Sequence, residues 1–518
     1  MKKFLSFLFV LFIGFTLVSC QGTTDDRVQV TFWHAMGATN QVVIDKMIKT
    51  FEDKYPNVHV TQANQGGYDE LRDKVNNSII AGTMPTIAQT YPDHVTSYLA
   101  RKDAVVNLNK YVYDAELGFD SQGVDESLYV KSFYAESTSY DDLGSMYSLP
   151  FNKSTEITFY NKTVFNKYDW FVGLLGYEVE DIYSEYEANG VNEKGETVYN
   201  TEKRVFKKDF VWHPTWQQLE KIGAAFINTG EYKQAVDQKK KVAAFSYDSQ
   251  SNLFITLTQQ LAALDENDKY GEMGETAYTG FNESRIGQFN FLDENNPYAT
   301  EAVKYYKQQY DNGYFATSGT LGVSYSSDAF KAVQCVVTIG SSAGAGYNDP
   351  GEAFEVGVGT YPQVEGTPEE EYQVIQQGTN VTLFAQRDPE VEKYGWLFIL
   401  HMINFENALL WATETAYFPI RTDVFDSQQY KDYIAGKTYT DAGEVIYEPG
   451  LKGIAAEVGW TQRNWFYTNC AFNGTDVARD SVELLVQNVL LNKKDSVDAA
   501  IASAFATCKD ELSKYIVE

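Results

Sequence analysis

The stretch from residue 28 to residue 90 alternates between strand-like and helix-like segments, and this order restricts the fold more than any other feature of the chain. Apolar and polar side chains alternate at the start, and later apolar residues recur at helical spacing. The predicted strands are 28–33, 58–60 and 86–90, and the predicted helices between them are 41–54 and 70–80. A β-α-β-α-β order predicts a parallel sheet with crossover helices, so we expect an α/β protein.

Ligands of such sheets bind in the crevice at the carboxyl ends of the strands. The loops that follow the three predicted strands are 34–40, 65–69 and 91–94. We therefore expect a binding site to involve these loops.

The composition favours a large, folded, acidic protein. Of the 518 residues, 44% are hydrophobic and 15% aromatic, which is enough for a large core, and this length usually divides into two or more domains. The 42 basic and 71 acidic residues give a net charge of −29. Because nucleic acids are bound by clustered Lys and Arg, this balance argues against a nucleic-acid partner.

The first twenty residues have the pattern of an export signal. Lys2 and Lys3 precede an apolar run that is shorter than the roughly 20 residues of a transmembrane helix. The run ends in Leu-Val-Ser-Cys at Cys20, which resembles a bacterial lipobox, where the cysteine is lipidated and becomes the new N-terminus. We predict a signal peptide over 1–19 and a lipidated tether over 20–26; the alternative is an ordinary secretory signal with a chance cysteine.

The remaining cysteines are Cys335, Cys470 and Cys508, and their spacing matches no metal motif. Cys335 lies in an apolar run and is predicted to be a buried small hydrophobe. A bridge between Cys470 and Cys508 is possible. The five histidines form neither His-Glu-x-x-His nor a Cys/His cluster, so we expect no metal and no cofactor.

Further elements are predicted beyond residue 150. A Gly-Val-Asn-Glu-Lys-Gly-Glu stretch inside 168–213 indicates a hairpin or surface loop, and 333–339 indicates a buried strand. The predicted helices are 217–228, 301–310, 388–404, 407–413 and the tail 477–516.

Five short segments occur in an order that resembles a known family. They are Thr31-Phe32-Trp33-His34-Ala35-Met36 with the later Pro56-Asn57-Val58-His59-Val60, Ile80-Ala81-Gly82-Thr83-Met84-Pro85-Thr86-Ile87, Leu149-Pro150-Phe151-Asn152-Lys153-Ser154-Thr155, Pro214-Thr215-Trp216-Gln217-Gln218-Leu219 and Thr415-Ala416-Tyr417-Phe418-Pro419-Ile420. Together they resemble the family 1 extracellular solute-binding proteins, the carbohydrate-type receptors of ABC importers.

The resemblance implies an α/β, two-lobe, periplasmic-binding-protein-like fold of the maltose-binding-protein type (type II), with a hinge of crossing strands. Lobe one would be 27–149 plus 363–414, and lobe two 150–362 plus 415–518, with insertions near 168–213 and 265–298. It also implies a monomer that captures a small solute between the lobes and delivers it to ABC permease subunits. The protein would be extracytoplasmic and anchored to the bacterial membrane through lipid.

Within the family, the segments at 32–36 and 150–155 resemble the glycerol-3-phosphate-binding branch. The ligand contacts carried over from that branch are Tyr68, Asp93, Ser154, Ser341, Gly378, Tyr417 and Arg479, with Arg479 facing the phosphate. Asp93 stands one place after the position of the branch's glutamate, which is Pro92 here. The implied ligand is glycerol 3-phosphate, a glycerophosphodiester or an oligosaccharide.

Other interpretations of these residues stay open at this point. Arg479 could instead form a surface ion pair, and Trp33 and His34 could be packing residues. A secreted, surface-anchored glycoside hydrolase is the alternative function, although with 71 acidic residues a pair of carboxylates carries little information.

Overall fold

The computed structural model describes residues 25–516, except 102, 142, 194, 196, 266–275, 283–285 and 441–442. The predicted signal peptide and Cys20, with the tether as far as residue 24, lie outside the described residues. Within the described ranges, none of the helices combines the length and the hydropathy that a membrane crossing requires.

Strands and helices are numbered here in chain order. The strands are β1 (Val28–His34), β2 (Val58–Asn64), β3 (Ile87–Thr90), β4 (Leu149–Asn161), β5 (Tyr183–Glu185), β6 (Ala188–Val191), β7 (Thr197–Tyr199), β8 (Val205–Phe206), β9 (Phe245–Tyr247), β10 (Gly280–Phe281), β11 (Gly287–Gln288), β12 (Phe315–Thr317), β13 (Val337–Ser341), β14 (Val356–Gly359), β15 (Val374–Leu383), β16 (Lys437–Tyr439), β17 (Val445–Tyr447) and β18 (Phe466–Tyr467). The α-helices are α1 (Ala38–Lys54), α2 (Tyr68–Ala81), α3 (Pro92–Leu99), α4 (Asn109–Val112), α5 (Phe119–Gln122), α6 (Lys131–Ala135), α7 (Lys162–Lys167), α8 (Val179–Ile182), α9 (Trp216–Phe226), α10 (Gly230–Asp237), α11 (Gln250–Ala263), α12 (Pro297–Asp311), α13 (Ser318–Leu321), α14 (Ser326–Lys331), α15 (Pro389–Met402), α16 (Phe405–Thr415), α17 (Thr422–Asp426), α18 (Gln428–Ile434), α19 (Leu451–Thr461), α20 (Thr475–Leu491) and α21 (Val497–Leu512).

The predicted β-α-β-α-β start of the chain is confirmed. Strand β1 pairs in parallel with β2, Val28 opposite Val58, and with β3, Phe32 opposite Ile87. Helix α1 connects β1 to β2. Its apolar face is buried against the sheet, and Phe51 at the end of that face is fully buried. The carboxyl ends of these three strands therefore lie at one edge of the sheet.

Two long strands, β4 and β15, connect the two halves of the molecule. In the described part of the chain, ten strands form one sheet along the path β12-β9-β13-β4-β15-β3-β1-β2, with β14 on β4 and β18 on β15. The first half of β4 pairs with β15, and its second half, from Glu156, pairs with β13. At its far end β15 pairs with β3. These are the crossing strands that the family resemblance implied.

Two main apolar cores lie on either side of the crossing strands. The first contains Phe32, Phe51 and Phe398, whose rings meet edge to face, and the second contains Trp216 and Tyr306. Side chains of α17 and of the segment before it, Phe418, Ile420 and Val424, pack in the first core. The prediction had assigned every residue after 414 to lobe two, whereas these side chains pack with lobe one. The segment is held there because the Phe418 N–H donates to Lys153 O of β4 at 2.7 Å.

Two predicted elements have different limits in the structure. The tail is two helices, α20 and α21, and the turn between them forms where the Asn492 side chain accepts from the N–H groups of Lys494 and Asp495. The buried strand begins at Val337 instead of 333, because Val333 adopts a left-handed backbone (φ 56°) that ends the preceding helix. The hairpin predicted inside 168–213 is confirmed as β6–β7.

Of the three cysteines in the described residues, Cys335 and Cys508 are buried and Cys470 is partly exposed. Cys335 is fully buried, as predicted, with its sulfur 3.2 Å from Ser246 Oγ. The thiol of Cys508 is free and donates to Ser481 O. The possible bridge from Cys470 to Cys508 is therefore wrong.

Candidate functional site

A cavity of about 420 Å³ lies where the two cores face each other. All seven ligand contacts carried over from the resemblance line it, namely Tyr68, Asp93, Ser154, Ser341, Gly378, Tyr417 and Arg479. The loops 65–69 and 91–94 reach it, as expected from the ends of β2 and β3. His34 of the third loop is instead buried and hydrogen-bonded to Gln62, so it is a packing residue. The roles of the seven residues toward a ligand stay predictions.

Arg479 of α20 is the arginine that lines the cavity. Its Nε lies 3.2 Å from Asp93 Oδ2 on α3, and its Nη1 donates to Asn252 Oδ1 on α11 at 2.8 Å. Burial opposes the guanidinium charge, but Asp93 and nearby tyrosines raise the pKa of Arg479. Arg479 therefore forms an ion pair inside the cavity and not on the outer surface. About a third of its side chain (32%) stays accessible.

Asp93 owes its position to the proline that precedes it. Pro92 occupies the first helical position of α3, where its missing N–H costs nothing. Asp93 therefore lies on the first turn, where its Oδ1 accepts from the His94 N–H at 3.0 Å and its Oδ2 faces Arg479. One carboxylate thus joins the two sides of the cavity.

Three tyrosines form one wall of the cavity. The rings of Tyr68 and Tyr91 lie 4.9 Å apart, and Tyr68 Oη lies 3.4 Å from Tyr417 Oη. Tyr417 in turn stacks on Trp411. Burial raises the pKa of all three phenols, so they stay neutral and can donate hydrogen bonds.

The crossing strands β4 and β15, together with the end of β13, form the floor of the cavity. Ser341 at the end of β13 donates to Ser154 Oγ of β4 at 3.1 Å, because the antiparallel register brings the two strand segments together. Gly378 of β15 lies opposite Lys153 with φ 99°. A Cβ at this position would lie 2.0 Å from Asn152 O, so the close approach of the two strands requires glycine.

Several cavity residues escaped the sequence analysis. Helix α20 also contributes Asp476, Asp480 and Glu483, and burial followed by the repulsion of Asp93 raises the pKa of Asp476 to about 6. Asp476 and Glu483 lie three residues before and four residues after Arg479, on the same face of the helix, and this spacing was a usable signal. Across the cavity, Arg72 Nη1 of α2 lies 3.2 Å from Asp480 Oδ2, and Thr96 Oγ1 of α3 donates to Phe472 O at 3.0 Å. The two sides therefore touch in this structure.

A fully buried carboxyl, Glu156 of β4, lies beneath the cavity. Its Oε1 accepts from Asn252 Nδ2 and Gln377 Nε2, both at 3.1 Å, and its Oε2 accepts from the Tyr247 hydroxyl. Burial outweighs these hydrogen bonds and raises the pKa of Glu156 from 4.5 to about 7. Since Asn252 also holds Arg479, the carboxyl supports one wall of the site.

We expect this carboxyl to make the stability of the protein depend on pH. The folded protein holds a proton on Glu156 between about pH 4.5 and 7 that the unfolded chain has lost, so the contribution of Glu156 to the free energy of unfolding should be fully present below about pH 4.5 and fall by up to about 3 kcal/mol as the pH rises to 7. Glu156→Gln should remove this part of the slope. Urea unfolding at pH 5 and pH 8 measures it, and equal slopes in the two proteins would contradict the expectation.

One serine motif in the chain has the spacing of a hydrolase nucleophile elbow. Gly340-Ser341-Ser342-Ala343-Gly344 reads Gly-x-Ser-x-Gly. The central Ser342 is fully buried, its Oγ accepts from the Thr155 N–H, and it begins a 3₁₀ turn. Its hydroxyl is therefore turned into the protein and not toward the cavity.

A cavity between two α/β halves joined by crossing strands, with hydroxyls and charges from both halves, defines a two-lobe binding protein. The chain belongs to the family of bacterial extracellular solute-binding proteins, whose model matches residues 46–438. The predicted membership is thus confirmed.

Two curated relatives are both sn-glycerol-3-phosphate-binding periplasmic proteins UgpB. That of Salmonella typhimurium is 22% identical over 412 residues, covering 78% of this chain and 77% of the relative. That of Pectobacterium atrosepticum is 28% identical over 160 residues, covering 30% of this chain and 33% of the relative. The chain thus matches only about a third of the length of the second relative.

Solved structures of low identity share the fold. UgpB from Mycobacterium tuberculosis in complex with glycerophosphocholine has a TM-score of 0.65 at 16% identity, covering 94% of this chain and 99% of that one. An ABC substrate-binding protein from Listeria monocytogenes in complex with cycloalternan has a TM-score of 0.63 at 15% identity, with 94% and 100% covered. The maltose/maltodextrin-binding domain MalE from Bdellovibrio bacteriovorus has a TM-score of 0.61 at 14% identity, with 94% and 100% covered. The predicted maltose-binding-protein-like, two-lobe fold is confirmed.

Proposed function

We propose that this protein is the lipid-anchored substrate-binding subunit of an ABC importer and that it captures a glycerophosphodiester in the cleft between its lobes. The single observation that carries the proposal is the guanidinium of Arg479, which is partly accessible inside the cavity among serine and tyrosine hydroxyls. A guanidinium with hydroxyl donors is a favourable partner for a phosphate group.

The charges around Arg479 favour a diester over a phosphate monoester. Besides Arg479, the cavity is lined by acidic side chains, among them Asp69, Asp93, Asp476 and Asp480. A monoester dianion would meet strong repulsion from these carboxylates. A diester carries one negative charge, and a cationic headgroup on its other end would find carboxylates and tyrosine rings as partners. Glycerophosphocholine has this charge pattern.

Binding and lobe closure are coupled in this proposal. The contacts of Asp480 with Arg72 and of Asp93 with Arg479 join helices from the two lobes. A ligand that contacts both lobes would add to them and shift a pre-existing equilibrium toward the closed form. The closed form would deliver the solute unchanged to the permease subunits, and the proposal includes no catalytic step.

Isothermal titration tests the proposal directly. The probes are glycerophosphocholine, glycerol 3-phosphate and maltotriose, added separately to the purified mature protein. We expect glycerophosphocholine to bind most tightly and maltotriose to give no heat. If only maltotriose binds, the ligand is an oligosaccharide and not a diester. If no probe gives heat, the proposal is refuted.

The anchor is tested separately by Cys20→Ala. We expect the wild-type protein to sediment with membranes and the variant to appear in the soluble fraction, because two or more acyl chains give stable anchoring. Cys470→Ser is the control and should stay with the membranes. Fractionation with immunoblotting measures both, and a membrane-bound Cys20→Ala variant from which residues 1–19 have been cleaved would contradict lipidation at this residue.

A further inference from the structure

Tyr278 is a cavity residue whose hydroxyl has no hydrogen-bond partner among the described residues. Its side chain lines the cavity beside Arg479 and is 1% exposed, and its Oη has no hydrogen-bond partner in the described part of the chain. A buried hydroxyl without a partner destabilises a protein, so one that also lines a binding cavity is a candidate for a contact with a ligand. Burial raises the pKa of Tyr278, and the nearby guanidinium of Arg479 acts in the opposite direction.

The ring of Tyr278 is held firmly in place. It stacks on Phe291, with ring centroids 5.1 Å apart and an interplanar angle of 18°, and meets Phe254 edge to face. The backbone around it is fixed by two amide side chains, since Asn290 Nδ2 donates to Thr276 O and Asn296 Nδ2 donates to Ala277 O, both at 2.8 Å. A hydroxyl fixed this way needs no reorganisation to meet a ligand.

The segment that carries Tyr278 is also tied to the rest of the cavity wall. Thr276 Oγ1 donates to Oδ1 of Asn469, which lines the cavity, at 3.1 Å. This segment falls within 265–298, which the sequence indicated as an addition to lobe two. The described part of this insertion therefore reaches the cavity through Tyr278.

We propose that Tyr278 is a ligand-contacting residue that donates its O–H to the same anionic oxygen that Arg479 binds. The added segment would then contribute to specificity, because it places a further neutral donor in the cavity that Arg479 lines. This inference rests on the proposed function, which supplies the anionic oxygen.

Two tyrosine-to-phenylalanine variants test it. Tyr278→Phe removes the hydroxyl in the cavity. Tyr306→Phe is the matched control, because its hydroxyl is also buried and without a partner in the described residues but does not line the cavity. Titration with glycerophosphocholine should show Tyr278→Phe binding roughly 10- to 100-fold more weakly than wild type, the usual effect of a hydrogen bond to a charged group, and Tyr306→Phe binding within about twofold.

A thermal melt of the ligand-free proteins completes the experiment. Both variants should melt at or above the wild-type temperature, since each loses an unsatisfied hydroxyl, so a loss of affinity cannot be assigned to unfolding. Binding by Tyr278→Phe within about twofold of wild type, or an equal loss in both variants, would overturn the inference and leave the proposed function standing. If wild type itself binds none of the three probes, the proposed function fails, and the inference fails with it.

Discussion

Arg479→Ala should weaken the binding of glycerophosphocholine by at least about 30-fold. The substitution removes the guanidinium that we place on the phosphate, and truncating one partner of a largely buried charge pair typically costs about 2–5 kcal/mol. It also leaves Asp93 without its cation, which adds a repelling charge 3.2 Å from the former Nε. Isothermal titration of the purified variant measures the loss.

Two further variants separate charge from geometry. Arg479→Lys keeps the positive charge but loses the planar fork that matches a phosphate, so we expect an intermediate affinity. Arg463→Ala removes an exposed arginine outside the cavity and should bind as wild type does. An Arg479→Ala variant that binds glycerophosphocholine within a few fold of wild type would place the phosphate elsewhere.

The first strands and helices, and the place of Arg479 in the cavity, could be predicted from the sequence for different reasons. The β-α-β-α-β order from residue 28 is a local signal, because each helix and strand shows its own periodicity within a dozen residues. Arg479 came from a resemblance that compares whole chains. The partner that holds its Nη1, Asn252, lies 227 residues away, and no local pattern joins two such positions.

The residues that the sequence analysis missed also depend on contacts between segments that are far apart in the chain. Glu156 was hidden in a strand whose residues are all buried, and its importance depends on three hydrogen bonds from distant segments. Tyr278 was one of 37 tyrosines, in a segment that was predicted only as an insertion in lobe two. What selects it is its place in the cavity, together with a hydroxyl that has no partner in the described part of the chain, and only the packed structure reveals both. Long-range packing, and not local propensity, decides such residues.

Gly378→Ala should cost about 4 kcal/mol of stability or more, and it should also weaken ligand binding. Two penalties add at this position. A left-handed backbone costs a non-glycine residue about 1–2 kcal/mol, and Gly378 has φ 99°. The new Cβ would also lie 2.0 Å from Asn152 O and 2.7 Å from Lys153 Cα, so β4 and β15 would have to separate. Overpacking of this kind adds about 1–3 kcal/mol when side chains can yield, and backbone atoms yield less.

Gly123→Ala is the control that isolates the second penalty. Gly123 also has a positive φ, 68°, but nothing lies within 4 Å of its Cβ position, so alanine there should cost only the backbone penalty of about 1–2 kcal/mol. Urea unfolding of both variants gives the difference, and titration with glycerophosphocholine shows whether the separated strands disturb the floor of the cavity formed by Ser154 and Ser341. Equal destabilisation of the two variants would mean that the strands are not packed as closely as the structure has them. A Gly378→Ala variant that is destabilised but binds normally would instead assign this glycine to the hinge alone and remove it from the set of ligand contacts.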